Sequence, residues 1–99
     1  MLNIRLENLG TINQNEIVIK TDKSITKLYF SYETIVAFDQ SVNGKYTKAV
    51  SVNDWSRTTG KLLNKIEPDK KARIENDEFN KLLRDCLIRI KWQKEKTKE

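Results

Sequence analysis

One string in the chain resembles a phosphate-binding loop, Thr58-Thr59-Gly60-Lys61. A P-loop cradles phosphate with backbone N–H groups. It needs a glycine five residues before the Gly of its Gly-Lys pair and a Ser or Thr after the Lys. Trp55 and Leu62 stand at those positions, so the match fails at both ends. Thr58, Thr59 and Lys61 retain groups able to contact phosphate, but a packing role suits them better. Gly60 inside a helical pattern points to close packing or to a weakened helix.

Other chemistry is excluded more firmly. The chain has no histidine, so Ser-His-Asp or Cys-His activation and His-containing metal sites cannot be built. Its single cysteine, Cys86, rules out an intrachain disulfide and thiolate-rich metal sites. Set in an apolar run, it reads as a small buried hydrophobe in a reducing, cytoplasmic compartment. The acidic clusters fall where helix capping accounts for them, as at Asp77 and Glu78, and no pair has a spacing diagnostic of general acid and base work. The expectation is a protein without catalytic residues, cofactor or metal, and not an enzyme.

The formal charge is +5, concentrated towards the C-terminus in Lys81, Arg84, Arg89, Lys91, Lys94, Lys96 and Lys98. A run of this kind is ordinarily a solvated helix face or a frayed tail, here residues 93–99. The alternative is a surface that contacts a polyanion. No window approaches the ~18 apolar residues of a membrane span, and the N-terminus lacks a targeting pattern.

These groups must be positioned by a small number of elements. At 99 residues, with 37% hydrophobic and 33% charged side chains, the chain suits one thin-cored domain over 1–99. Leu2, Ile4 and Leu6 alternate with Asn3, Arg5 and Glu7, which predicts a strand with one buried face. Glu16 to Lys20 and Ile25 to Phe38 are β-branched and aromatic, the latter divided near Ser31 to Thr34. Asn43-Gly44 predicts a type I′ hairpin that pairs Val42 with Lys45 and Phe38 with Ala49, with an exposed tip.

The period then changes. Trp55, Thr59, Leu62, Leu63 and Ile66 form one helical stripe, capped at Asn53 or Asp54 and ended near Pro68, with Trp55 expected in the core. A second helix begins near Asn76 or Asp77 with a core stripe of Phe79, Leu82, Leu83, Cys86, Leu87 and Ile90. Ile88 and Trp92 project from the other side. Either the helix continues and these two form an apolar contact patch, or the segment becomes a strand; the absence of Gly and Pro between Asp85 and Trp92 favours the helix. The expected fold is α+β, an antiparallel sheet of four to five strands followed by two helices packed on one face.

Two ordered strings, Tyr29 to Phe38 and Trp55 to Asn64, resemble a family of small uncharacterised domains found in bacteria, archaea and their viruses or plasmids. The resemblance spans about residues 25 to 87. It implies a strand-rich first half, following helices and a viral or mobile-element source, and it adds no mechanism, since no activity, cofactor or catalytic residue is known for the family. A His commonly follows the Gly-Lys pair in that family; Leu62 stands here, which speaks against a catalytic position.

Two functions are compatible with these observations. One is a small interaction protein that binds or inhibits a host macromolecule, or pairs as a homodimer, with Ile88 and Trp92 as anchors. The other is nucleic-acid binding, with Lys81, Arg84, Arg89, Lys91 and Lys94 on phosphates and Tyr29, Tyr32 or Tyr46 stacking on bases. No nucleic-acid-binding signature supports the second.

Overall fold

The computed structural model describes residues 2–10, 13–52 and 57–97, without the side chains of 57, 58 and 91–97. Five strands, β1 (Asn3–Asn8), β2 (Gln14–Lys20), β3 (Ser24–Ser31), β4 (Thr34–Val42) and β5 (Lys45–Val50), precede helix α1 (Arg57–Ile66), a 3-10 turn (Lys70–Ala72) and helix α2 (Asn76–Thr97). The strands pair antiparallel in chain order, so the sheet is a meander of sequence neighbours. The α+β class holds, with five strands. The Trp55 position and the expected caps at Asn53 and Asp54 lie outside the described residues.

The Asn-Gly hairpin forms in the expected register, Val42 against Lys45 and Phe38 against Ala49. Asn43 and Gly44 have φ of 52° and 84°, the two positive values that a type I′ turn requires. Gly44→Val places a β-branched residue in left-handed backbone. It is expected to cost about 1–2 kcal/mol, seen as a lower urea midpoint at unchanged slope.

The helices do not share a face, as the sequence pattern suggested; they cover opposite faces. Phe79 and Cys86 of α2 pack with Leu28, Phe38 and Ala49, while Leu62 and Leu63 of α1 pack with Val36, Ala37 and Val50. Neighbours along a strand point to opposite faces, so Ala37 beside Phe38 and Val50 beside Ala49 make the sheet's β4–β5 side apolar on both. Cover on both sides is the consequence. A register shift opposite Tyr29 and Phe30, which pair with Ala37 and Ile35, leaves Val36 as an extra residue. This bulge turns both Val36 and Ala37 towards α1. The Val36 carbonyl accepts bonds from the N–H and hydroxyl of Ser51, each at 3.0 Å.

The chain changes sides at β5. After α1 and the 3-10 turn, Ile74 returns beside Ser51 in a short parallel bridge, with Val52 N–H on the Ile74 carbonyl and Ile74 N–H on the Val50 carbonyl. From there α2 crosses the other face as one continuous helix to Thr97, resolving the helix-or-strand alternative and carrying helix into the expected 93–99 tail. The first helical bond runs from Phe79 N–H to the Glu75 carbonyl. The buried stripe is narrower than expected: Phe79 and Cys86 are buried, but Leu82 and Leu87 are exposed. A straight helix meets a sheet along a line, so side chains at the margins of a wide apolar arc remain in solvent.

Candidate functional site

The two strings that carry the family resemblance fold against each other. Tyr29 to Phe38 spans the end of β3, its turn and the start of β4. The second string supplies α1. The hydroxyls of Ser31 and Thr59 lie 2.7 Å apart in the interior, and Val36, Ala37, Leu62 and Leu63 pack beside them with Tyr29 and Ile66 at the margin. Thr59 is therefore a core residue, while Lys61 is exposed on the outer side of α1. The side chain of Thr58 lies outside the described residues.

Gly60 and Asn64, one turn apart, line a cleft of about 350 Å³ with Val52, Lys70 and Arg73. Its guanidinium is engaged: Arg73 Nη2 donates to Asn64 Oδ1 at 2.6 Å and to the Glu67 carbonyl at 3.0 Å, and Nε donates to the same carbonyl. Arg73 thus satisfies carbonyl density where α1 ends. A second cleft beside α1 is lined by Tyr29, Asp39, Tyr46, Lys48 and Lys65. Tyr29 donates to Asp39 at 2.8 Å. Burial, then this bond, raise the Tyr29 phenol above its ordinary value, and burial raises Tyr46. Both remain protonated near neutrality, so neither serves as a base or phenolate nucleophile there.

The candidate polyanion contacts divide. Lys81 and Arg84 are exposed on α2, but Arg89 is half-buried and its Nε donates to Gln40 Oε1 at 2.6 Å. Gln40 in turn donates to Thr26 Oγ1 and the Cys86 carbonyl, both at 3.0 Å. Arg89 is tied into the sheet–helix contact. The side chains of Lys91, Trp92 and Lys94 lie outside the described residues, whereas Ile88 is 55% exposed. Burial pushes the Cys86 thiol up to about 11, against a smaller opposing pull from Arg89. Because the thiolate is the reactive form, Cys86 is expected to resist a thiol reagent at pH 8 until the protein is unfolded. Rapid labelling of the native protein at pH 8 would contradict this burial.

Among the described residues, a further uncovered apolar strip lies at the sheet's β1 edge. Leu2, Ile4 and Leu6 precede and run along β1 and are 44%, 62% and 66% exposed. The strand forms as its alternation predicts, but its apolar face is not buried. Ile4 pairs with Ile19 and Leu6 with Ile17, and these half-buried isoleucines pack at the margin of the core under α2. The strip thus extends that core beyond the helix. On the other face Arg5 and Glu7 form an ion pair at 2.9 Å. Arg5 and Lys27 lie opposite Val18, which is buried beneath long charged side chains. Sequence reasoning found the strip's residues but assigned them to the core. The alternation shows which face of a strand is apolar, not whether a helix reaches it.

Among the described residues no group of His, Cys, Asp or Glu converges as a metal site, and no helix is long and apolar enough to cross a membrane. The architecture defines a small α+β domain, a five-stranded meander with one helix on each face. The chain belongs to a family of unknown function, DUF8033, whose sequence model matches residues 3–81 and so takes in the whole sheet, α1 and the start of α2. No curated protein and no solved structure matches it.

Proposed function

We propose that the chain is a non-enzymatic interaction module of the cytoplasm, encoded by a virus or mobile element, that works by docking protein surface. The observation that carries this reading is the β1 strip: Ile4 and Leu6 on one face of an edge strand, with Leu2 just before it, each more than two-fifths exposed. Contiguous apolar surface beside an open strand edge is expensive to leave in water and ready to accept a partner. Ile88 on α2 adds a separate apolar position. The viral or mobile-element setting rests on the two strings that resemble such domains.

The nucleic-acid reading has less support from the geometry. Arg89 is engaged by Gln40, and several lysines and arginines outside α2 are paired: Lys27 with Glu16, Lys48 with Glu67, Arg5 with Glu7. Affinity capture with the wild type and with Ile4→Lys/Leu6→Lys as bait tests the proposal. Protein held by the wild type and lost by the variant is the expected result. An unchanged set, or tight binding to labelled DNA or RNA at about 50 mM salt that collapses at about 200 mM, would overturn it.

A further inference from the structure

We infer that the partner of β1 is a second copy of this chain, joined by antiparallel β1–β1 pairing about a two-fold axis at Leu6. This rests on reading the strip as an interaction surface and names what covers it. The two edges of the sheet differ. On β5, Lys48 is already engaged by Glu67 and the Ile66 carbonyl, and Ile74 occupies the chain beside it at Ser51. Among the described residues no strand pairs with the outer edge of β1, and its two charges, Arg5 and Glu7, are opposite in sign and two residues apart.

That spacing selects a register. A two-fold axis perpendicular to the sheet keeps each face aligned, so it must pass through a residue and pair that residue with itself. An axis at Arg5 sets Arg5 against Arg5, and like charges directly opposite are destabilising. An axis at Ile4 pairs only residues 3–5 within the strand. An axis at Leu6 pairs residues 4–8, sets Leu6 against Leu6, and places each Arg5 opposite Glu7 of the second copy. The ion pair within each strand is exchanged for one between strands, two before and two after in the dimer, and Ile4 lies diagonal to Leu6 of the other copy. A single row, Ile17, Leu6, Leu6 and Ile17, then crosses the junction on the apolar face, and the outward backbone groups of β1 gain hydrogen bonds. Pairing through one strand gives a contact below the standard size of ~1,600 Å², so the dimer is concentration-dependent.

Sedimentation equilibrium of the full chain from micromolar to millimolar concentration tests this. The wild type is expected to rise from 11.6 kDa towards twice that mass. Arg5→Glu sets two acidic pairs across the junction, Glu7→Arg two basic ones, and each is expected to raise the dissociation constant at least tenfold. The double exchange Arg5→Glu/Glu7→Arg restores opposite charges and is expected to return it to within threefold of the wild type. Both substitution sites, Arg5 and Glu7, are on the exposed strand β1, and circular dichroism checks that each variant is folded. A wild type that stays monomeric, or a dimer indifferent to Arg5→Glu, overturns the pairing. The broader docking reading fails separately, on unchanged capture by Ile4→Lys/Leu6→Lys.

Discussion

Phe38→Ala is expected to destabilise the protein by about 3–5 kcal/mol, enough to leave a domain of ordinary stability, roughly 5–15 kcal/mol, close to unfolding. Phe38 is 2% exposed in β4, between Leu28 on one neighbouring strand and Ala49 on the other. Its ring meets that of Phe79 at 5.8 Å and 44°, a tilted arrangement that adds attraction beyond area. The truncation therefore removes the main anchor of α2 to the sheet. Ala49 and Cys86 are too small to fill the space. The check is a urea titration followed by far-ultraviolet circular dichroism. A loss below about 1 kcal/mol would mean that α2 is held by something other than this ring pair.

Gln40→Leu is the second large effect, expected to cost about 2–4 kcal/mol although volume is nearly conserved. Gln40 is 1% exposed and links three elements: its amide donates to Thr26 Oγ1 on β3 and the Cys86 carbonyl on α2, and its carbonyl oxygen accepts from Arg89. Removing the amide leaves the Thr26 hydroxyl and the Arg89 guanidinium without these partners in a partly desolvated place, each worth about 1–3 kcal/mol. Thr26→Val added to Gln40→Leu is expected to recover part of the loss, because the orphaned hydroxyl goes with it. Strict additivity of the two changes in urea titrations would show that the network is not coupled.

Stability should also fall at alkaline pH. The buried thiol of Cys86 and phenol of Tyr29 are both raised above their ordinary values, so the folded state holds protons that the unfolded state releases first. The contribution is complete below the unfolded thiol value, near 8.5, and is lost as pH climbs from there towards about 11. Cys86→Ala and Tyr29→Phe should each flatten that decline, read from urea midpoints between pH 8 and 11.

The sheet was legible because its signals are local. Asn43-Gly44 dictates two positive φ values and hence one register, and the apolar residues from Ile25 to Phe38 favour strands whatever surrounds them. Helix α1 was legible from Thr59, Leu62, Leu63 and Ile66, whose spacing selects one face. What was hidden depends on relations between elements. That α1 and α2 take opposite faces follows from Ala37 and Phe38, or Ala49 and Val50, both being buried. A run of adjacent apolar residues in a strand allows either one covered face and one exposed, or two covered. Arg89 could be seen as basic but not as bonded to Gln40, forty-nine positions away in the chain. Leu2, Ile4 and Leu6 carried the pattern of a buried face and became the interaction candidate only once the reach of α2 was known.

Amide hydrogen exchange over β1 reports whether its edge is occupied, because in an unpaired edge strand alternate N–H groups point into solvent while the rest bond to β2. The outward half of residues 3–8 is expected to exchange quickly in dilute protein, to slow as concentration rises, and to stay fast in Arg5→Glu. Fast exchange of those amides at every concentration, with or without captured protein, would show that β1 accepts no partner along its edge.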